Sequence, residues 1–504
     1  MPTTLAAIDI GSNAIRLSIG RIENDQSLTV MDNFREPVRL GRDVFAKRMI
    51  SDETTEAALD VFKHFKEIID RNSVTFTKAA ATSALREATN ADSFADKILH
   101  VSGIDVDVIS PEEEARLIHL AIASKVNLKN RTALLIDIGG GSTEITLTYD
   151  GSIMSTESYR LGAVRLLQLL EEKKQGEKKF NTLVQEYVEA TRGRFKKEIK
   201  GKKIDLCVGT GGNIEALAAL KKDVLEKDRD GTLSIEELGA MLRKLLSLSF
   251  DERMQQLRLR PDRADVIVPA SIILQEIMRV GGIDELIVPR VGLKEGIMID
   301  MARTVFGEHE HLNRDQILAS ALELGRKYSF DEQHGTSVAR YAVDLFDQTR
   351  ELHNLGLEHR LLLEAAAMLH DIGSFISMTG HHKHTFYLLT ANPIIGLNQN
   401  QTRIVANVAR YHRKSFPKVQ HDSFRELSSK DRVVVSKLAS ILRLADAMDN
   451  EHASRVDSFS VEHKKPKLMI HVHGKGDLLL EKWALMNKKE LFENIFGVKV
   501  SIED

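Results

Sequence analysis

The chain has 504 residues, too many for one hydrophobic core, and 42% hydrophobic and 28% charged residues are typical of a globular protein. A net charge of −3 and an aromatic content of 5% argue against a nucleic-acid-binding protein. There is no apolar run of the roughly 18 residues that predict a transmembrane helix, and the N-terminus lacks the basic region of a signal peptide. The single cysteine, Cys207, excludes an internal disulfide. We therefore expect a cytoplasmic, multi-domain protein with neither nucleic acid nor membrane as a partner.

The sequence Ile-Asp-Ile-Gly occurs twice, at 8–11 and at 136–139. Each copy follows an apolar run and precedes alternating apolar and polar residues, a period of two that predicts a strand on both sides of a glycine turn. Neither copy is a P-loop, because no helix and no Lys-Ser/Thr follow the turn. The repeat predicts two similar β-hairpins.

Helices and strands alternate after the first hairpin. Apolar residues at helical spacing predict a helix over 52–70, and residues 79–84 are typical of a strand end. Residues 111–124 predict a helix that begins with a proline and three glutamates. A basic helical region is predicted over 163–203, and a strand with a glycine turn over 206–212.

The pattern changes near residue 315 to successive helices rich in histidine, and near 456 to short strands with a final helix over 488–496. These changes predict four domains. They are a first α/β lobe at 1–128, a second at 129–306, a helical domain at 307–455 and a small α+β domain at 456–504.

Three glycine-rich turns have the composition of phosphate-binding loops, because small residues let several backbone N–H groups point at one phosphate. The candidate phosphate ligands in these turns are Gly11, Ser12, Asn13, Gly139, Gly140, Gly141, Ser142, Gly209, Thr210, Gly211 and Gly212. Asp9 and Asp137 precede two of the turns, where a carboxylate could hold Mg²⁺ near a phosphate. For any one turn, a tight hairpin without a ligand is the alternative.

These motifs resemble the exopolyphosphatase/guanosine pentaphosphate phosphatase (Ppx/GppA) family of the actin, sugar-kinase and heat-shock-chaperone superfamily. The matching segments span essentially the whole chain and are AIDIGSNAIRL (7–17), ATSALREATN (81–90), ISPEEEARLI (109–118), LLIDIGGGSTEI (134–145), CVGTGGNIEAL (207–217), RVGLKEGI (290–297), YHRK (411–414) and LRLADAMD (442–449). The resemblance implies two RNase-H-like lobes that face each other across a cleft, each with one phosphate hairpin.

The resemblance also implies a hydrolytic site. It identifies Glu114 as the general base that distinguishes a hydrolase from a kinase. Glu144 looks like a second metal-site or water-orienting carboxylate beside Asp137, which we expect to hold Mg²⁺. Arg86 matches the family's phosphate-binding arginine, and a guanidinium suits phosphate oxygens. Taken singly, Glu114 could stabilise a helix N-terminus, Glu144 could be a surface charge and Arg86 could form an exposed ion pair.

We expect a phosphoanhydride hydrolase that removes the terminal phosphate of inorganic polyphosphate, with Mg²⁺ and as a homodimer. One alternative is hydrolysis of guanosine pentaphosphate (pppGpp) to ppGpp. The other is a non-hydrolytic nucleotide- or polyphosphate-binding module of the same superfamily. Polyphosphate is favoured because the helical domain and a basic run could extend a channel for a long anion, although a solvated helix face is the alternative for the run. The run consists of Arg192, Arg194, Lys196, Lys197, Lys200, Lys202 and Lys203.

The histidine-rich region predicts a second site. His334, His370, Asp371 and Asp446 have the order and spacing of an HD-type phosphohydrolase, and imidazole together with carboxylate suits Mn, Fe or Zn. Further ligands for a second ion could come from His381, His382, His384 and His412. We expect the first four residues to converge; histidines that make core hydrogen bonds without a metal are the alternative.

Residues 226–237 follow the spacing of an EF-hand calcium loop, with glutamate instead of aspartate in the first position. Ser234 followed by Glu237 is also typical of a capping box at a helix N-terminus. We expect the capping box and no calcium site.

Overall fold

The computed structural model describes residues 3–23, 27–171, 201–227, 231–306, 309–464 and 466–503, with scattered positions between 182 and 199. The chain divides into two compact units, Met1–His309 and Glu310–Asp504. None of the described helices combines the length and the apolar character that a membrane crossing requires.

A five-stranded sheet organises the first part of unit one. Its strands are β1 Thr3–Ile10, β2 Ile15–Ile22, β3 Leu28–Glu36, β4 Phe76–Ala81 and β5 Val106–Val108, in the order β3-β2-β1-β4-β5. The first three strands are antiparallel, whereas β4 and β5 run parallel to β1. The helices described here are Leu40–Lys47, Asp52–Arg71, Ser83–Glu87, Ala91–Ser102 and Pro111–Ala123.

A six-stranded sheet repeats this plan. Its strands are β6 Thr132–Ile138, β7 Thr143–Tyr149, β8 Ser152–Tyr159, β9 Leu206–Thr210, β10 Thr232–Ser234 and β11 Glu285–Ile287, in the order β10-β11-β9-β6-β7-β8. The β6, β7 and β8 strands are antiparallel, β9 and β11 run parallel to β6, and β10 is added at the edge. The two predicted hairpins are therefore β1-β2 and β6-β7, and the repeat extends to both sheets. The helices described here are Ala163–Glu171, Gly212–Leu225, Ile235–Ser247, Phe250–Gln256, Pro261–Ala264, Ile267–Gly281 and Leu293–Phe306.

The helix Leu293–Phe306 ends the predicted second lobe in sequence but packs on the first sheet and on the helix before β6. A Cβ added at Gly296 would lie 2.0 Å from the carbonyl oxygen of Leu117, so this crossing requires glycine. Asp300 on the same helix accepts from Arg116 at 2.8 Å. One apolar cluster joins both lobes at this contact and includes Leu5, Leu117, Leu135, Val208 and Ile297.

The segment 226–237 contains the expected capping box. The Ser234 hydroxyl accepts from the Glu237 N–H at 3.2 Å, and the Glu237 carboxylate accepts from the Ser234 N–H at 3.1 Å. The same carboxylate pairs with Lys221 at 3.1 Å and Lys227 at 3.0 Å. Because a calcium loop would need this carboxylate for the ion, the described part of the segment favours a helix start; residues 228–230 lie outside the described residues.

Unit two is a helical assembly with a small sheet. Its described helices are His309–Lys327, Glu332–Gln348, Arg350–His353, Leu357–Met368, His381–Ala391, Gln399–Arg410, Asp422–Arg425, Ser429–Ala447, Leu479–Lys488 and Glu490–Phe496, with a 3₁₀ turn at Ile372–Phe375. The sheet contains β12 Val456–Lys464, β13 Lys467–Gly474 and β14 Lys499–Glu503, in that order. Strand β14 was not expected from the sequence. One apolar cluster includes side chains from the helices and from the sheet, so the predicted domain at 456–504 shares its core with the helical domain.

Candidate functional site

The two hairpin turns meet at a cleft of about 570 Å³ between the lobes of unit one. The Gly139 N–H donates to the Ser142 carbonyl at 3.0 Å, and the Gly11 N–H makes the equivalent bond in the first turn at 3.1 Å. A Cβ on Gly140 would lie 2.9 Å from the Cβ of Ser12, so the turns approach too closely for a side chain there. Both turns thus present mainly backbone to the cleft.

Most of the predicted site residues line this cleft. They are Asp9, Gly11, Ser12, Asn13, Glu114, Asp137, Gly139, Gly140, Ser142, Gly211 and Gly212. Five predicted residues are not among the residues that line it, namely Arg86, Gly141, Glu144, Gly209 and Thr210. A Cβ on Gly141 would lie 2.3 Å from the Phe45 ring, so this glycine serves close packing.

The third glycine segment is a strand end that leads into a helix and differs from the two hairpin turns. Gly209 lies in β9, where a Cβ would be 2.9 Å from Leu286. The Thr210 hydroxyl donates to Oδ1 of Asp137 at 2.7 Å. Gly211 has a φ of 92°, a conformation that favours glycine, and lies beside the same carboxylate. Thr210 therefore orients Asp137 and Gly209 allows close packing in the strand, and neither residue lines the cleft.

Three carboxylates converge beside the second hairpin. One oxygen each of Glu114, Asp137 and Glu144 lies within 4.8 Å of the others. Asp137 and Glu144 are directly paired across β6 and β7, so strand register brings them together. Glu114 arrives from the first turn of the helix Pro111–Ala123, whose N-terminus is capped by Ser110.

Burial and like charge favour protonation of these acids. Burial, reinforced by the Glu144 carboxylate, raises the pKa of Asp137 to about 7. The same two causes raise the pKa of Glu114 well above its usual range, although Arg86 opposes them. Burial also raises the pKa of Glu144. Two buried acids and a half-buried one at such short distances destabilise the folded state unless protons or a cation neutralise their charge.

The hydrogen bonding of Glu144 shows that the cluster fits a cation. Glu144 is 2% exposed, which rules out the surface-charge alternative. Ser158 donates to its Oε1 at 3.0 Å, whereas Oε2 has no hydrogen-bond partner among the described residues. Buried carboxylate oxygens are normally satisfied, and a hard divalent cation prefers oxygen ligands of this kind. The donor set therefore suits Mg²⁺.

The three glutamates that begin the helix Pro111–Ala123 have different environments. Glu112 and Glu113 are partly exposed, and Glu113 pairs with Arg116 at 2.7 Å. Glu114 is 7% exposed and accepts from Arg86 at 2.9 Å. Stabilisation of a helix N-terminus does not require such burial, so that alternative does not explain Glu114. Arg86 contacts the acid instead of forming an exposed ion pair.

The first hairpin carries an ion pair where the second carries two acids. Arg16 pairs with Asp9 across β1 and β2, in the register that joins Glu144 to Asp137 in the second hairpin. The Arg16 guanidinium donates to Asp9 at 2.6 Å. Although burial lowers the pKa of Arg16, the Asp9 carboxylate raises it overall. Asp9 is thus neutralised within the protein, and the charge that needs a cation lies on the second hairpin.

Much of the remaining cleft lining is cationic, which the sequence analysis missed. The basic residues that line it are Arg16, Arg35, Arg258, Arg260, Arg263, Arg290 and Lys294. Burial, with Arg16 and Arg35 nearby, lowers the pKa of Arg263 to about 10. Arg258 and Arg290 have φ of 52° and 56°, a left-handed conformation that is costly outside glycine and frequent at functional sites. Three arginines within residues 258–263 were the available sequence signal.

Contacts across the cleft hold the two lobes in register. The amide of Asn13 donates to the carbonyl of Asp262 at 2.8 Å. The carboxylate of Asp262 also forms an ion pair with Arg35 from β3. The Asn13 side chain, predicted as a phosphate ligand, is therefore engaged with the opposite lobe.

Of the predicted basic run, Arg192, Lys197 and Lys200 lie outside the described residues, and Arg194 pairs with Glu157 at 2.9 Å.

Unit two brings together the four residues that were predicted to form an HD-type site. Nε2 of His334 lies 3.2 Å from Nε2 of His370, and these atoms are 4.0 and 3.7 Å from Oδ1 of Asp446. Oδ1 of Asp371 is 3.7 Å from Nε2 of His370. His382 and His384 belong to none of the metal-type clusters among the described residues, whereas His381 and His412 do.

Comparison with known proteins covers nearly the whole chain. Residues 18–305 match the Ppx/GppA phosphatase family, and residues 318–491 match domain III of Ppx/GppA phosphatases. A curated guanosine-5′-triphosphate,3′-diphosphate pyrophosphatase of Vibrio vulnificus is 26% identical, with 81% of this chain and 80% of the relative covered. A protein of that name from Aliivibrio fischeri is 25% identical, with 92% of each covered.

Solved structures resemble about three fifths of the chain. An exopolyphosphatase from Cytophaga hutchinsonii is 25% identical with a TM-score of 0.56, covering 60% of this chain and 98% of that one. The Ppx/GppA family member of Aquifex aeolicus is 29% identical with a TM-score of 0.51, covering 61% and 99%. The chain is therefore a hydrolase of phosphoanhydride bonds that belongs to the Ppx/GppA phosphatase family.

Proposed function

We propose that the cleft removes the terminal 5′-phosphate of guanosine 5′-triphosphate 3′-diphosphate (pppGpp). The observation that carries the reaction type is the buried acid Glu114, held beside a second acidic pair and next to two phosphate-type hairpins. The substrate is supported by the relatives that match both units, because they are named for this compound and align with 81% to 92% of the chain.

Glu114 is the proposed general base. Arg86 binds its Oε2 at 2.9 Å and also donates to the Ile109 carbonyl at 2.8 Å, which fixes the carboxylate. Burial makes Glu114 a stronger base than an exposed glutamate, so it can accept the proton of an attacking water. The water oxygen forms a bond to the terminal phosphorus while the anhydride bond breaks, and the electron pair leaves with ppGpp.

The cleft lining accounts for binding and for charge. The arginines of the lining bind phosphate oxygens, and the hairpin N–H groups also stabilise the charge that the leaving group acquires. Asp137 and Glu144 would hold a divalent cation such as Mg²⁺, which supplies further charge neutralisation when bound. Thr210 keeps the Asp137 carboxylate oriented through its 2.7 Å hydrogen bond.

Phosphate release from pppGpp tests this proposal. Glu114→Gln should lower kcat by roughly 10²- to 10⁴-fold, the usual contribution of a general base, while pppGpp still binds. Glu113→Gln is the matched control, because it changes the neighbouring glutamate that pairs with Arg116, and it should keep most of the activity. Full activity of Glu114→Gln would overturn the assignment of the base.

Hydrolysis of inorganic polyphosphate is the second candidate, favoured by the cationic lining and by the solved exopolyphosphatase that resembles 60% of this chain. Polyphosphate was expected first from the sequence, because the helical domain and a basic run could extend a channel; part of that run lies outside the described residues. The full-length relatives support the opposite order. Steady-state kcat/KM on both substrates decides, and a preference for polyphosphate by tenfold or more would restore the original order.

A further inference from the structure

We propose that Arg165 and Glu87 form a positioning pair that holds the second phosphate hairpin in place relative to the general base. Arg165 lies at the start of the helix Ala163–Glu171 in the second lobe, and Glu87 ends the short helix Ser83–Glu87 in the first. Neither is among the described residues that line the cleft, so the pair acts through other groups. The inference rests on the proposed function and adds to it a contact between the lobes.

The carbonyl groups of the second hairpin turn face the start of the helix that carries Arg165. Backbone N–H groups of this helix donate to the carbonyls of Gly139 at 3.2 Å and Gly140 at 2.9 Å. Nε of Arg165 donates to the third carbonyl, that of Gly141, at 2.7 Å. In a trans peptide the N–H points away from the preceding carbonyl, so these three bonds turn the N–H groups of residues 140–142 away from the helix. The Arg165 side chain thus helps to aim the N–H groups that meet a phosphate.

The other end of the Arg165 side chain is held from the first lobe. Its Nη2 donates to Oε1 of Glu87 at 2.6 Å, and its Nη1 donates to Oε2 at 3.3 Å. The guanidinium carbon lies 4.1 Å from the centroid of the Phe45 ring. Although burial raises the pKa of Glu87, the Arg165 hydrogen bond lowers it overall, so the carboxylate is charged at neutral pH. A two-pronged ion pair on an aromatic ring fixes the guanidinium in one orientation.

The short helix Ser83–Glu87 contacts three parts of the reactive centre. The hydroxyl of its first residue lies 2.9 Å from the Ser12 hydroxyl in the first hairpin turn. Arg86 binds Oε2 of Glu114 at 2.9 Å, and Glu87 beside it binds the arginine of the second hairpin. Neighbouring residues of a helix point about 100° apart, so the two side chains reach different partners from one turn. The positioning pair therefore links the second hairpin to the turn that holds the general base.

Turnover by Arg165→Met tests the proposal. This variant keeps a stem of similar length and removes both contacts, and it should lower kcat by roughly 10²-fold, the loss typical of a misplacement of about 1 Å. KM should change by less than about threefold, because Arg165 does not line the cleft. Rates are measured on pppGpp, or on inorganic polyphosphate if the parent protein releases no phosphate from pppGpp. The test thus does not depend on which substrate is correct.

Glu87 supplies a second variant and a double-mutant cycle. Glu87→Gln is nearly isosteric and should lower kcat roughly tenfold, because an amide binds the guanidinium through one oxygen instead of two. The double variant should be no slower than Arg165→Met alone, since both changes break the same contact. The matched control is Arg48→Gln, which removes another partner of the Glu87 carboxylate, at 3.1 Å, and should keep the parent kcat.

Thermal unfolding shows which variants are folded at the assay temperature, and Glu87→Gln, the smaller change, decides if Arg165→Met is not. An unchanged kcat in folded Arg165→Met or, if that variant is unfolded, in Glu87→Gln would overturn the proposal. A loss confined to KM, or a double variant whose loss is the product of the two single losses, would also overturn it. Failure of the base assignment is seen separately, as full activity of Glu114→Gln.

Discussion

Replacing Asp137 by asparagine should stabilise the protein without bound metal while it abolishes turnover. Burial, reinforced by the Glu144 carboxylate, raises the pKa of Asp137 from 3.8 to about 7, so the folded state holds this proton more tightly than the unfolded chain. The free energy of unfolding that the protonated Asp137 contributes has its full value below about pH 4, the pKa in the unfolded chain. This contribution is lost as the pH rises through about 7, the pKa in the folded protein. The difference between the folded and unfolded pKa values corresponds to about 4 kcal/mol at pH 8. This is the largest increase in the free energy of unfolding that we expect for Asp137→Asn.

Cys207 gives a local assay for this effect. It is buried in β9, which pairs directly with the Asp137 strand, and it is the only cysteine of the chain. Burial raises the pKa of its thiol to about 12, so a thiol reagent must wait for local opening. In the presence of chelator, labelling of Asp137→Asn should be slower than that of the parent at pH 8 by at least tenfold, and by much less at pH 5. Rates are corrected for reagent chemistry with an unfolded peptide.

The matched control is Asp9→Asn, the same change at the equivalent position of the first hairpin. Asp9 is neutralised by Arg16 at 2.6 Å, so its removal leaves a largely buried cation without its partner. This variant should therefore be destabilised, by roughly 1–3 kcal/mol. Destabilisation of similar size in both variants at pH 8 would refute the view that the second hairpin carries uncompensated negative charge.

Three further predictions concern binding, packing and pH. Arg260→Gln should raise KM for pppGpp roughly tenfold with little change in kcat, because a charge-assisted contact contributes about 1.5–3 kcal/mol. Steady-state kinetics at fixed salt measures both constants, and a fall in kcat with unchanged KM would contradict this prediction. Gly296→Ala should destabilise unit one by at least about 2 kcal/mol, since its Cβ would lie 2.0 Å from a carbonyl oxygen. The control Gly193→Ala has open space on a helix and should not lower the thermal stability. Arg86→Ala should move the acid limb of the pH–rate profile to higher pH, because Arg86 lowers the pKa of Glu114 and the base must be deprotonated to act; an unshifted limb would contradict this.

Local patterns made the hairpins and the acidic residues predictable from the sequence. Alternating residues around Ile-Asp-Ile-Gly specify strand, turn and strand without long-range information. The register of such a hairpin then pairs Asp137 with Glu144. The position of Glu114 was inferred only from the family resemblance, because three successive glutamates at a helix start are equivalent in local chemistry. Burial, a property of the fold, distinguishes them.

Long-range packing explains what could not be predicted. Three arginines line the cleft because the fold places short helices there that lie far from both hairpins in sequence. They are Arg258, Arg260 and Arg263. The packing of the helix Leu293–Phe306 on the first lobe depends on one glycine that meets a distant carbonyl. Strand β14 is five residues long and forms by pairing with β13, so its local sequence carries little signal.

The most direct test of the central claim is hydrolysis of pppGpp in water enriched in ¹⁸O, followed by mass spectrometry of both products. Water attack at the terminal phosphorus, assisted by Glu114, predicts one ¹⁸O atom in the released phosphate and none in ppGpp, with both products lost in Glu114→Gln. Label in ppGpp, or no hydrolysis of pppGpp by the parent enzyme, would contradict the account.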